Sequence, residues 1–167
     1  MHKLIHCDEV WIRNGVRVNS MKKHKKSGGN IFESCLPLCV ISPSASIIQR
    51  ELLLEVGLFD ESLPACEDYD LWLRICSRYP VLYINEKLLH KYGGHEDQLS
   101  RQHWGMDRFR VDALDRIIRG GLLRPGQVKA ARVILTNKCQ ILISGAGKRG
   151  NQELLDKYQA LLLMHQE

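Results

Sequence analysis

Two adjacent carboxylates, Glu67 and Asp68, with a third at Asp70, open a stretch that is otherwise apolar, E-D-Y-D-L-W-L-R-I-C. Carboxylates in the first turn of a helix face its partial positive charge and gain about 0.3–1 kcal/mol each. For Asp70 that gain is a sufficient account. For Glu67 and Asp68 two features point further. Leu71, Trp72, Leu73, Ile75 and Cys76 cover most of the helix circumference, which predicts a buried helix from Glu67 to Arg78. The preceding loop, D-E-S-L-P-A-C, breaks the chain and would leave one side of the helix end open. An ionised carboxylate there could take a proton from an alcohol as that alcohol becomes a nucleophile.

A second group of residues is basic. Lys22, Lys23, Lys25 and Lys26 surround His24, and Gly28-Gly29 follow. The run repels itself and has glycines to move about, so it reads as a mobile loop. One use for it is a flap that draws in phosphates, with Lys22 and Lys23 as substrate-binding residues; the alternative is a solvated loop without a ligand. The net charge of +5 suits an anionic partner such as a phosphorylated substrate. No aromatic residue is interleaved for base stacking, which argues against a nucleic-acid patch. The six cysteines, at 7, 35, 39, 66, 76 and 139, form no C-x-x-C and have no zinc-site spacing with histidine. They read as buried reduced thiols.

The elements that must position these groups come from periodicity. At 167 residues the chain suits one core rather than two ordinary domains. Val10 and Ile12, then Val16 and Val18, alternate with polar residues about Asn14-Gly15, predicting a hairpin over residues 9–19. A short helix from Ile31 to Leu36, a strand at A-S-I-I-Q and a helix from Arg50 to Val56 capped by Gly57 follow. Val81–Ile84 and Leu88–Tyr92 suit two short strands, and Gly93–Ser100 a polar loop. Beyond His103 three helices are predicted: one ending at Gly120-Gly121, a second from Pro125 to a turn at Gly145–Gly150, and a third around Leu154–Leu162. No apolar run approaches the roughly 20 residues that span a bilayer. Met1–Glu9 is too polar for a secretory signal. The location expected is cytoplasmic, with peripheral contact to the inner membrane as an option.

The block V-G-L-F-D-E, a spacer, E-D-Y-D-L-W-L-R, an apolar strand and G-G-H-x-x-Q-L-S resembles the C-terminal half of family 2 glycosyltransferases. The resemblance covers about Glu9 to Ser100 and is most specific from Arg50 to Arg74. It implies a GT-A fold and transfer of a sugar from a nucleotide donor, with inversion, to a carbohydrate or lipid-linked acceptor in polysaccharide biosynthesis. It implies that Asp68 is the general base, with Glu67 beside it orienting donor or acceptor. It makes His95 the matching metal ligand for a divalent ion (Mn or Mg), the alternative being a surface histidine; Trp72 a residue on the acceptor side, the alternative being a core tryptophan; and Ser42 and Ser44 part of the segment beneath the donor sugar. The family's nucleotide-binding half, with its acidic D-x-D motif, has no counterpart here; Cys7-Asp8-Glu9-Val10 does not match it.

The fold class expected is therefore α/β, a truncated GT-A-like portion over residues 1–100 followed by an all-helical tail over 101–167. The function expected is the acceptor-side catalytic portion of an inverting glycosyltransferase, a fragment inactive by itself. Two rivals stand beside it: an interaction module that self-associates through an exposed sheet edge, and, ranked last, a basic nucleic-acid binder.

Overall fold

In the computed structural model, residues 2–19, 24–94, 102–103 and 105–165 are described. The chain divides into two units, Met1–Trp104 and Gly105–Glu167. The first unit is mixed α/β and the second all-helical.

The first unit is built on β1, Leu4–Arg13. It turns at Asn14-Gly15 into β2, Val16–Val18, with Arg13 paired to Val16. Both turn residues have positive φ, 49° and 76°, as a two-residue hairpin turn of matching twist requires. The strand starts five residues before the predicted hairpin. His6 hides that start in the sequence, yet it is buried, with its ring 5.1 Å from that of Tyr83. β3, Ser46–Ile48, pairs antiparallel with the first residues of β1. β4, Leu82–Gly93, runs parallel to β1. A strand has two edges, so β4 takes one and β2 and β3 share the other. The two predicted runs at 81–84 and 88–92 are thus one strand. Register shifts between Cys7 and Glu9 absorb the polar residues between them.

Parallel pairing needs a long crossover. Here it contains α1 (Phe32–Cys35), a 3-10 turn (Pro43–Ala45), β3, α2 (Arg50–Val56) and α3 (Glu67–Cys76). Seven of the ten residues of α3 are buried, the all-round burial its composition predicts. Tyr69, Leu71, Trp72, Leu73 and Ile75 form the floor of the core with Leu4, Leu36, Ile41 and Leu52.

The basic loop is more tightly held than its composition predicts. Lys26 is only 8% exposed, and its ammonium donates to the Cys7 carbonyl at 2.9 Å. His6 Nε2 lies 2.9 Å from the Ser27 carbonyl. Gly29 exchanges two backbone hydrogen bonds with Val81, at 2.8 and 3.0 Å. A Cβ on Gly28 would sit 3.0 Å from the backbone nitrogen of Tyr83. Gly28 therefore permits close approach to β4, and residues 24–29 are not a free flap. Lys22, Lys23 and the 95–100 part of the predicted polar loop lie outside the described residues.

The second unit holds α4 (Asp107–Arg119), α5 (Pro125–Lys148) and α6 (Gln152–Met164). Pro125 at the first position and Gln127 accepting from the Arg124 N–H at 3.0 Å start α5. The helix runs through Gly145 and Gly147, so the turn predicted at 145–150 shortens to residues 149–151. Asn151 caps α6, accepting from the Leu154 N–H at 3.0 Å. Lys138, 7% exposed, is matched by Asp107 at 2.7 Å. No helix among the described residues is long and apolar enough to cross a membrane.

Candidate functional site

The first turn of α3 follows Cys66, whose φ of 64° is left-handed. This turn is where the chain redirects from the loop into the core, and it leaves Glu67 and Asp68 half-buried at the boundary. Asp68 Oδ1 accepts the Tyr69 N–H at 2.7 Å, one of the donors a helix start leaves without an internal partner. Asp68 Oδ2 accepts the Cys39 thiol at 3.2 Å. Among the described residues no cation pairs with Asp68. Burial pushes the Cys39 thiol well above its usual range and the Asp68 charge adds to that, so Cys39 is a neutral donor.

Asp70, two residues on, is held differently. Arg74 meets its Oδ2 through Nε at 2.9 Å and through Nη2 at 2.8 Å. The same guanidinium donates to the carbonyls of Val56 and Gly57, both at 2.7 Å, and of Leu58 at 2.9 Å. Gly57 has φ +88°, and a Cβ there would lie 3.1 Å from Arg74 Nη1. The V-G-L-F and D-L-W-L-R segments are thus two halves of one clamp that fixes α3 against the end of α2.

Residues 39–42 link the Asp68 carboxylate to a second polar cluster. Ser42, 8% exposed, donates to Glu9 Oε1 at 2.9 Å and accepts from Lys91 Nζ at 2.9 Å. Glu9 also receives the Trp11 indole N–H at 2.9 Å and faces Lys26 at 3.3 Å and Lys91 at 3.8 Å. Burial pushes the Glu9 carboxyl up. The ammonium groups of Lys91 and Lys26, with the Ser42 and Trp11 donors, more than offset this and hold it below the usual range. A polar cavity of about 220 Å³ adjoins Glu9, lined by Trp11, Arg17, Asn19 and Lys87 among others.

Of the residues singled out from sequence, Asp68, Glu67 and Ser42 are brought to this region. Ser44 is exposed on the 3-10 turn. Trp72 is 1% exposed and sits in the core, one helical turn below Asp68. His95, Lys22 and Lys23 fall outside the described residues. Among the described residues no group of three or more His, Cys, Asp or Glu side chains is arranged to hold a metal ion. Among the described residues the donors around Asp68, a neutral thiol and an amide, do not fit a hard divalent cation. Sequence reasoning missed Glu9, Lys26, Lys91 and the role of Cys39. The contacts of Lys26 with Cys7, of Cys39 with Asp68, of Glu9 with Ser42 and of Lys91 with Ser42 span 19, 29, 33 and 49 residues along the chain, and no local pattern signals such pairs.

Residues 30–113, half of the chain, match the sequence profile of the glycosyltransferase-like family 2. Over 71 residues, 41% of this chain, the sequence is 35% identical to an uncharacterized glycosyltransferase of Rickettsia felis and 35% identical to one of Rickettsia conorii. It is 37% identical to one of Rickettsia bellii over the same length. The match spans 12% of the length of the first two relatives and 10% of the third. No solved structure matches the chain significantly.

Proposed function

This chain belongs to the glycosyltransferase-like family 2, and from that premise we propose that it carries the acceptor side of an inverting, nucleotide-sugar-dependent sugar transfer, with Asp68 as the general base. The observation that carries this reading is the state of the Asp68 carboxylate. It is half-buried, oriented through both oxygens, and without a cationic partner among the described residues. A carboxylate so held keeps a negative charge available for an incoming hydroxyl. The proton would pass from the acceptor hydroxyl to Asp68 as its oxygen attacks the anomeric carbon, and the nucleoside diphosphate would leave from the opposite face. Glu67, on the same turn, would orient the acceptor. Ser42 would act only through the Glu9 cluster that fixes residues 39–42. The acceptor would be a carbohydrate or a lipid-linked sugar, and the setting cytoplasmic or at the periphery of the inner membrane.

The test is binding of a panel of mono- and disaccharide acceptors to the ¹⁵N-labelled chain, followed by amide chemical shifts. Saturable shifts at Cys39–Ser42 and Glu67–Tyr69 are expected. Saturable shifts confined to other residues would contradict the reading.

A second reading is favoured by one feature. The outer edge of β4 has no paired strand among the described residues, and Leu82, Leu88 and Tyr92 on it are 39%, 59% and 63% exposed. Such an edge recruits another strand. Light scattering that shows a concentration-dependent dimer, abolished by Leu88→Lys, would support it; a monomer at all concentrations would not.

A further inference from the structure

We propose that Cys39 is a positioning residue for Asp68, its single thiol proton switching between Asp68 Oδ2 and the Ile41 carbonyl as the carboxylate gains and loses a proton. The inference rests on the reading of Asp68 as a base. Its geometric basis is that Cys39 Sγ lies 3.2 Å from Asp68 Oδ2 and 3.1 Å from the Ile41 oxygen, with one proton to give. A general base must hold its geometry in two states. When Asp68 is ionised, the thiol donates to it and fixes the plane of the carboxylate together with the Tyr69 N–H. When Asp68 has taken the acceptor proton, the thiol turns to the Ile41 carbonyl and its sulfur can accept from the new carboxylic O–H. Neither state strands a donor. The atoms balance without a further reactant: one proton moves from the acceptor hydroxyl to Asp68, and the thiol proton only changes acceptor.

Asp70 shows what the alternative would cost. Its oxygen is held by a guanidinium that is itself tied to three carbonyls. A proton added there would meet a fixed cation. A thiol is a weak donor without charge, so it orients Asp68 without placing a cation against it.

Two measurements test the proposal. The first needs no turnover. Cys39 is half-buried and the other five cysteines are buried, so iodoacetamide should reach Cys39 first. Its alkylation rate at pH 8–9, followed by mass spectrometry, should rise roughly 10-fold or more in Asp68→Asn, because the carboxylate that disfavours the thiolate is gone. An unchanged rate would overturn the contact. The second is the pH profile of sugar transfer. Cys39→Ala should lower kcat by roughly 2- to 10-fold, the worth of one neutral hydrogen bond, with KM unchanged and the acid limb displaced; Cys39→Ser should restore both. A Cys39→Ala profile identical to wild type, beside an inactive Asp68→Asn, would overturn the positioning role. An Asp68→Asn variant that still transfers sugar would instead sink the base assignment on which it rests.

Discussion

Residues 39–42 touch two carboxylates, and they hold them by opposite means. Glu9 is buried, ringed by two ammonium groups, a hydroxyl and an indole N–H. Asp68 lies at the boundary, held by one thiol and one amide. In the first cluster the charge is spent on structure. Removing either partner would leave an unpaired ion in the core, which is why such pairs resist change even where they add little net stability. In the second no cation pairs with the charge among the described residues, which leaves it able to respond to a ligand. The contrast separates a carboxylate that builds the platform from one suited to chemistry, although both are acidic residues near a core.

Among effects on stability, the largest expected is from Glu9→Ala, which strands the Lys26 ammonium, whose side chain is 5% exposed. A loss of about 3–5 kcal/mol is predicted by urea unfolding, and a loss below about 1 kcal/mol would show that the cluster is solvated. Arg74→Met removes the clamp on α3 and should cost about 1.5–3 kcal/mol, with charge-assisted hydrogen bonds lost to Asp70 and three carbonyls. Gly15→Val, at φ +76°, should cost about 1–2 kcal/mol through backbone strain alone.

Acid stability should fall in two stages. Burial holds the His6 imidazole below its usual value, with the Ser27 carbonyl opposing and Lys26 adding to the effect. The unfolded chain therefore takes up a proton below about pH 6.5 that the folded chain does not, and stability declines from there. Glu9 is held below the usual carboxylate range. Its contribution is present above about pH 4.3 and is lost as pH falls further, through its folded value. Thermal melting between pH 3 and 8 checks both stages. His6→Asn should flatten the first stage and Glu9→Gln the second; an unchanged profile in either variant would contradict the corresponding assignment.

How much of this was legible in the sequence varies with the range of the interaction. Asn14-Gly15, the Gly57 cap and the all-round apolar helix after Glu67 are local signals, and each lies where its chemistry requires. The α/β class with a helical C-terminal unit follows from them. The long-range pairs were not legible. Lys26 sits in a run that reads as solvated, and only the fold brings Glu9 to it, 17 residues back along the chain. His6 looks like a polar start yet lies in the core. The continuity of β4 depends on bulges that a strict alternation of residues cannot show. Asp68 could be picked out by its place on a helix start, whereas its thiol partner, 29 residues upstream, could not.

Asp68, with no cationic partner among the described residues, is the proposed base. Sugar transfer from labelled nucleotide-sugar donors to an acceptor panel, measured with a donor-binding half of the same family joined ahead of the chain, for wild type and for Asp68→Asn at matched thermal stability, decides whether that carboxylate is the base. A loss of roughly 100- to 10,000-fold is expected in Asp68→Asn, the usual worth of a general base, with the fold intact. Transfer by Asp68→Asn within about twofold of wild type, a change far below that range, would contradict it.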